Sequence, residues 1–265
     1  GRDSRISGPN LTKEFIKVLS AFGVHVIDFE MATTPSMFMA TQFEEFNCDA
    51  TVMFTASHLP YYYNGLKFFT REGGLESSDI RDIIALVDEK EELPQGSVST
   101  IEVKSIFERY SRHLVELIRK GSQSEKEKPL EGLHIIVDAG NGAGGFFAKS
   151  VLEELGAKTE GSQFLDPDGA FPNHIPNPDN KEAMESIKKQ VLAVNADYGV
   201  IFDTDVDRAA VVTGSEELLN RNNLIAVLSV IVISEHPGTT IVTNSPTTEH
   251  LKKFIMKLGG HQYRY

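Results

Sequence analysis

Tyr198-Gly199-Val200-Ile201-Phe202-Asp203-Thr204-Asp205-Val206-Asp207-Arg208 runs from a compact apolar stretch straight into three carboxylates at alternate positions. An apolar run of this length that ends in a polar turn reads as a buried strand, so Asp203, Asp205 and Asp207 are expected to leave one strand end together. Oxygen ligands so arranged suit a hard divalent cation such as Mg2+, which completes its shell with water or phosphate oxygens. A helix-loop-helix calcium site is excluded. It needs Gly and Glu where this run has Arg208 and Gly214, and a strand precedes it. Two other readings stay open: Asp203 as the nucleophile of an aspartyl phosphatase, and a plain acidic turn.

Around this stretch, strand and helix signals alternate. Leu11, Phe15, Val18, Leu19 and Phe22 recur at helical spacing and Gly23 supplies a stop, after which 24–29 reads as a strand. Pro35 and Ser36 open a short helix expected to reach Phe46, followed by strands over 50–54 and 66–69. Ile80, Ile83, Ile84 and Val87 mark another helix, and a further one spans about 106–118. The polar, charged segment 121–129 reads as a domain boundary. Beyond it come a strand over 133–137, the Gly-rich turn 138–145, a helix to Leu155, and a proline-rich loop over 166–178 that forbids regular structure. A helix over 181–194, strands over 198–202 and 209–212, and a helix over 222–234, read as buried, complete this unit. A strand over 239–242 and a helix over 250–258 begin a third. The fold class is α/β: consecutive α/β domains with mixed sheets covered by helices, two near-complete and the third only begun. Their expected bounds are 1–122, 123–235 and 236–265. Both chain ends read as cuts, so a fragment is expected.

Composition narrows the partners. With 26 basic and 38 acidic residues the net charge is −12, so no nucleic acid partner is expected, since phosphate-backbone binding runs on surplus Lys and Arg. No apolar run approaches the roughly 20 residues that cross a bilayer, so no membrane partner is expected either. Cys48 is the single cysteine, which excludes an intrachain disulfide and a thiolate zinc site and points to a reducing compartment.

A second chemical signal is Thr55-Ala56-Ser57-His58-Leu59-Pro60, a hydroxyl beside an imidazole on a loop after a strand. Adjacent Ser and His are as readily turn residues. A hydrolase triad is disfavoured because Gly-x-Ser-x-Gly is absent. The continuation Tyr63-Asn64-Gly65-Leu66-Lys67 adds a tight turn and a cation near a possible phosphoryl acceptor. The Gly-rich turn lacks both the Walker and the dinucleotide spacing and reads as structural. Gly1-Arg2-Asp3-Ser4-Arg5 asks for no more than a turn with solvated arginines.

Taken in order, Thr-Ala-Ser-His-x-Pro, Asn-Gly-x-Lys and Asp-x-Asp-x-Asp-Arg resemble the α-D-phosphohexomutase superfamily of phosphoglucomutases and phosphomannomutases. The likeness covers nearly the whole chain. Residues 1–8, Thr34-Pro35 and residues 138–142 resemble family segments too, and 64–74 and 168–178 look most like the plant and bacterial type. The resemblance implies an intramolecular phosphotransferase that interconverts hexose 1-phosphate and hexose 6-phosphate through phosphorylated Ser57 and a bisphosphate. It further implies Mg2+ held by Asp203, Asp205, Asp207 and an oxygen of phosphorylated Ser57, with Asp207 and Arg208 at the substrate. His58 and Lys67 are candidates for proton transfer or charge stabilisation. A hexose 1,6-bisphosphate is the implied activator, a hexose phosphate the partner, and cytoplasm or plastid stroma the location. The sugar-recognition loop and the distal-phosphate domain of the family have no counterpart here, so the chain alone is expected to be inactive as a mutase. The non-enzyme alternative is a phosphosugar-binding remnant.

Overall fold

The computed structural model describes residues 1–87, 94, 99–122, 124–215, 219, 221–244 and 247–265. In the first unit, α1 (Gly8–Ala21) leads to β1 (Val26–Asp28), α2 (Thr34–Ala40), β2 (Ala50–Phe54), β3 (Leu66–Thr70) and β4 (Gly73–Gly74). There follow α3 (Ser77–Leu86), β5 (Ile101–Val103) and α4 (Phe107–Gly121). An antiparallel meander forms from β2, β3 and β4, whereas β1 pairs in parallel with β5. Residues 1–3 lace the two sheets together, with Arg2 N donating to Glu30 O at 2.8 Å and Asp3 N to Phe54 O at 3.1 Å. Beneath them Phe29, Met37, Phe43, Phe46, Met53, Ile106 and Tyr110 form a buried core.

Two sequence expectations change here. The helix expected to reach Phe46 ends at Ala40, where the Thr41 hydroxyl donates to Phe38 O at 2.7 Å and turns take over. Phe43 and Phe46 are apolar because they anchor those turns in the core, not because a helix continues. The strand β5 was not anticipated: it has three residues, and its Ile101 and Val103 are exposed, so no burial pattern marks it.

The second unit contains β6 (Ile135–Asp138), a 3-10 turn at Ala143–Gly145, a π-helical segment at Ala148–Glu153, α5 (Lys181–Val194), β7 (Tyr198–Phe202) and β8 (Ala209–Thr213). Its sheet is mixed, with β6 parallel and β8 antiparallel to β7. Every residue of β6 is buried. The reason is that one sheet face packs on α5 through Ile187 and Val191, and the other on the π-helical segment through Ala148 and Leu152. Asn180 starts α5 by accepting from the amides of Glu182 and Ala183. Both units share α4. Its Tyr110 sits in the first core, its Val115 packs with Val151 and Leu155, and Phe107 stacks on Phe146 at 4.4 Å. Residue 123, at the expected boundary, lies outside the described residues.

A third group comprises α6 (Arg221–Glu235), β9 (Thr240–Thr243), α7 (Glu249–Lys257) and β10 (His261–Arg264), with β9 and β10 parallel. The expectation of a buried α6 is overturned. Val227, Leu228 and Ile231 are each 51% exposed, because α7 and the two strands meet only the stripe that carries Ile225 and Ile233. Among the described residues no helix is long and apolar enough to cross a membrane.

Candidate functional site

The first half of the site is the loop after β2. The β2–β3 register pairs Met53 with Lys67, which sets the lysine beside that loop. Ser57 has φ 51, a left-handed backbone that a non-glycine residue adopts only when its surroundings enforce it. They do so from both sides. The Ser57 amide donates to the Thr55 hydroxyl at 2.9 Å, and the Ser57 carbonyl accepts from Arg5.

The second half leaves the end of β7. Asp203 and Asp205 are buried and Asp207 is exposed, and one oxygen from each lies within 4.8 Å of the others. Val206, at φ 63, makes the tight turn that gathers them, at a conformation costly for a β-branched side chain. The Gly-rich turn supports this loop from below, as its structural reading requires. Ala143 N donates to Thr204 O at 2.8 Å, and a Cβ on Gly142 would sit 2.7 Å from the same oxygen.

The two halves meet directly. The Ser57 hydroxyl donates to Asp203 Oδ2 at 2.9 Å and lies 3.4 Å from His58 Nδ1. Lys67 Nζ donates to Asp205 Oδ2 and Asp207 Oδ2, both at 2.7 Å. Thr34 adds its hydroxyl to Asp205, and its amide donates to Asp205 O at 2.9 Å. Arg208 lies at the rim, its Nε 3.9 Å from Asp207 and 4.0 Å from Asp203. All seven residues read from the sequence are therefore gathered at one place. A cavity of about 630 Å³ in the first unit, lined by Phe15, Leu19, Phe46 and Val52, involves none of the seven.

Charge sets the chemistry available. Burial, then repulsion by Asp205 and Asp207, raises the Asp203 pKa to about 7. Burial also acts against the charge on Lys67, but Asp205 and Asp207 outweigh it and the lysine stays protonated. Burial and then the Arg208 charge lower His58, so its imidazole is neutral at neutral pH. Asp205 Oδ1 is buried without a partner among the described residues. An acceptor left so costs roughly 1–3 kcal/mol unless something electropositive meets it. That orphaned oxygen, within an all-oxygen set of three carboxylates, fits a divalent cation such as Mg2+.

Arg5 was missed. Read from the sequence as a solvated turn residue, it is 1% exposed. It donates to the carbonyls of Ser57, Leu59, Pro60 and Tyr63 and to the Asp3 carboxylate. The one available signal was Asp3 two residues earlier, because a buried guanidinium needs a carboxylate.

Fold and site define a protein of consecutive α/β units in which a serine loop of the first faces an acidic loop of the second. The family descriptions phosphoglucomutase/phosphomannomutase, alpha/beta/alpha domain I and domain II, match residues 1–94 and 108–216 respectively. The phosphomannomutase/phosphoglucomutase of Pseudomonas aeruginosa is 34% identical over 260 residues, which cover 98% of this chain and 53% of that protein. A phosphoglucosamine mutase of Sulfurovum sp. is 32% identical, covering 100% of this chain and 59% of its own. A crystal structure of a phosphoglucomutase/phosphomannomutase family protein from Burkholderia thailandensis superposes with a TM-score of 0.87 at 28% identity, covering 100% of this chain and 56% of that one. The chain belongs to the α-D-phosphohexomutase superfamily. It spans about half the length of the curated relatives it matches.

Proposed function

We propose that the protein is a hexose-phosphate mutase in which Ser57 carries the phosphoryl group. The observation that carries this reading is the Ser57 hydroxyl held on a left-handed loop 2.9 Å from Asp203, at the edge of three clustered carboxylates. Asp203, Asp205 and Asp207, with an oxygen of phosphorylated Ser57, would hold Mg2+. Bound there, the cation neutralises phosphoryl oxygens and makes a stable serine ester transferable.

The side chains supply the rest. In the forward step the bond between the Ser57 oxygen and phosphorus breaks while a sugar hydroxyl forms the new one. Neutral His58, its Nδ1 3.4 Å from the Ser57 oxygen, suits acceptance of that hydroxyl's proton and its transfer to the Ser57 oxygen as that leaves. Lys67, kept protonated by its carboxylates, suits stabilisation of the transferring group. The resulting bisphosphate returns a phosphoryl group to Ser57 from its other end, with Asp207 and Arg208 at the sugar phosphate. Full turnover needs a second anion site that holds the intermediate while it reverses, and the described residues supply none, so this chain is expected to take a phosphoryl group on Ser57 from a bisphosphate but not to interconvert the two monophosphates. The sugar stays open between glucose, mannose and glucosamine, the three in the names of the relatives. The division into 1–122, 123–235 and 236–265, and a cytoplasmic or stromal location, belong to the same proposal. An aspartyl phosphatase is disfavoured, because Asp203 is wholly buried and both its oxygens are engaged, by Arg208 N and by Ser57.

Incubation with a hexose 1,6-bisphosphate and Mg2+, followed by acid quench and peptide mass spectrometry, tests the reading. Phosphate should map to Ser57 and survive acid, and Ser57→Ala should take none. An acid-labile phosphate on Asp203 would establish the phosphatase instead.

A further inference from the structure

Arg5 spends every guanidinium N–H. Its Nη1 donates to Pro60 O at 2.7 Å and Tyr63 O at 3.0 Å, its Nη2 to Ser57 O and to Leu59 O at 2.7 Å, and its Nε to Asp3 Oδ2 at 3.2 Å. Asp3 Oδ2 also accepts the Thr55 hydroxyl at 2.7 Å, and Thr55 Oγ1 in turn accepts the Ser57 amide at 2.9 Å. A closed circuit results: Arg5 holds the carbonyl of Ser57, Thr55 holds its amide, and Asp3 joins the two. No other planar side chain offers five donors in one fixed fork, and lysine offers three from a single point.

The circuit is closed over by the second unit. Phe171, on the proline-rich loop, lies with its ring 5.5 Å from the Arg5 guanidinium carbon. Gly169 of the same loop packs so tightly on the Ser4 carbonyl and Ile6 amide that a Cβ there would collide with both. The loop that crosses from the unit bearing Asp203 thus bears on the arginine that shapes the loop bearing Ser57.

We propose that Arg5 is a positioning residue for the reaction: it fixes the left-handed backbone of Ser57 so that the hydroxyl faces Asp203 before any substrate arrives. It touches none of Asp203, Asp205 and Asp207, so it acts on the serine and not on the metal site. A left-handed non-glycine residue released from its carbonyl and amide partners relaxes toward negative φ, which swings the side chain away from the acidic loop. The inference rests on Ser57 as the phosphoryl carrier.

The test measures the rate of Ser57 phosphorylation by a hexose 1,6-bisphosphate in the Mg2+-loaded wild-type protein and in Arg5→Lys, across donor concentrations, alongside Mg2+ calorimetry and thermal melting. In Arg5→Lys the saturating rate should fall roughly 100-fold, the scale of a misplacement of about 1 Å at a reacting atom. The half-saturating donor concentration and the Mg2+ affinity should stay unchanged. A wild-type saturating rate in folded Arg5→Lys overturns the proposal, and so does a loss of rate matched by a loss of Mg2+ affinity, which marks general loosening. If Arg5→Lys does not fold, Thr55→Val decides, since it removes the acceptor of the Ser57 amide and leaves Arg5 in place: the same selective fall supports the circuit, and a wild-type rate overturns it. Wild-type protein that takes no phosphate on Ser57 sinks the proposed function and this inference together. Phosphorylated wild type with an equally fast Arg5→Lys sinks only the inference.

Discussion

Asp205 is the residue on which the acidic loop turns. Its Oδ2 serves Lys67 and the Thr34 hydroxyl, while its Oδ1 is buried and unpaired among the described residues. Replacing it with asparagine removes one charge from the cation site and leaves the side-chain shape, so Mg2+ affinity by calorimetry should fall on the order of tenfold or more with the fold intact. An unchanged affinity would reduce the run to an acidic turn. Protons compete at the same place. Because Asp203 must ionise to bind a cation and its pKa is raised to about 7, wild-type affinity should climb as the pH rises through that value. For the metal-free fold the sign is opposite. The folded state binds this proton more tightly than the unfolded one, so stability falls as the pH rises from the usual carboxylate range to about 7. Ser57, His58, Lys67, Asp203, Asp205, Asp207 and Arg208 were legible because their chemistry shows in short local patterns. Arg5 was not, because its partners are carbonyls some 50 positions away, and main-chain acceptors leave no trace in side-chain identity.

At the scale of an element, the proline-rich loop of 166–178 was legible only as a place where helix and strand cannot form. What holds it is a buried pair. His174 Nε2 faces Asp138 Oδ2 at 3.0 Å and its Nδ1 faces Ile175 O at 3.0 Å, two acceptors that only a doubly protonated ring can satisfy. Burial opposes that charge, but the hydrogen bond and charge of Asp138 and the Ile175 carbonyl outweigh it, so the His174 pKa is raised above 6.5. With a histidine raised in the folded state, the contribution is fully present below about pH 6.5 and is lost as the pH passes the raised value. His174→Gln should therefore cost roughly 1–3 kcal/mol at pH 6, the worth of a charged buried hydrogen bond, and progressively less above it. Melting curves from pH 6 to 9 give the answer, and a mutant curve parallel to the wild-type curve would show that the ring does not titrate in that window. Regular elements were easier to read. The bounds of β2, α5 and β7 match their sequence patterns residue for residue, because each is either flanked by strong turn residues or capped, as Asn180 caps α5. By contrast, α2 ran short and β5 went unseen, since core anchors in turns imitate helix spacing and a three-residue edge strand has no period to detect.

For the molecule as a whole, how the units dock was not legible beforehand, because docking depends on surfaces brought together by folding. Thr34, Ser57 and Lys67 reach the acidic loop from the first unit, and α4 lends side chains to both cores. The third group differs in what it leaves open. Along α6 the 51%-exposed Val227, Leu228 and Ile231 lie beside the partly exposed Val230 and Val232, a contiguous apolar face of the kind that drives association in water. Val227 and Ile231 are four residues apart and belong to neither the buried residues of that core nor those packed against it. Changing both, Val227→Glu with Ile231→Lys, places an attractive pair at helical spacing worth about 0.2–0.5 kcal/mol and removes no core contact. The 265-residue chain should then show concentration-dependent association in sedimentation velocity and bind a hydrophobic dye, while the double variant should do neither and melt no lower. A wild-type chain that stays monomeric and free of dye at high concentration would mean that this face is covered in solution by a route the fold does not reveal, and a double variant that melts lower would mean that the two side chains already serve the core.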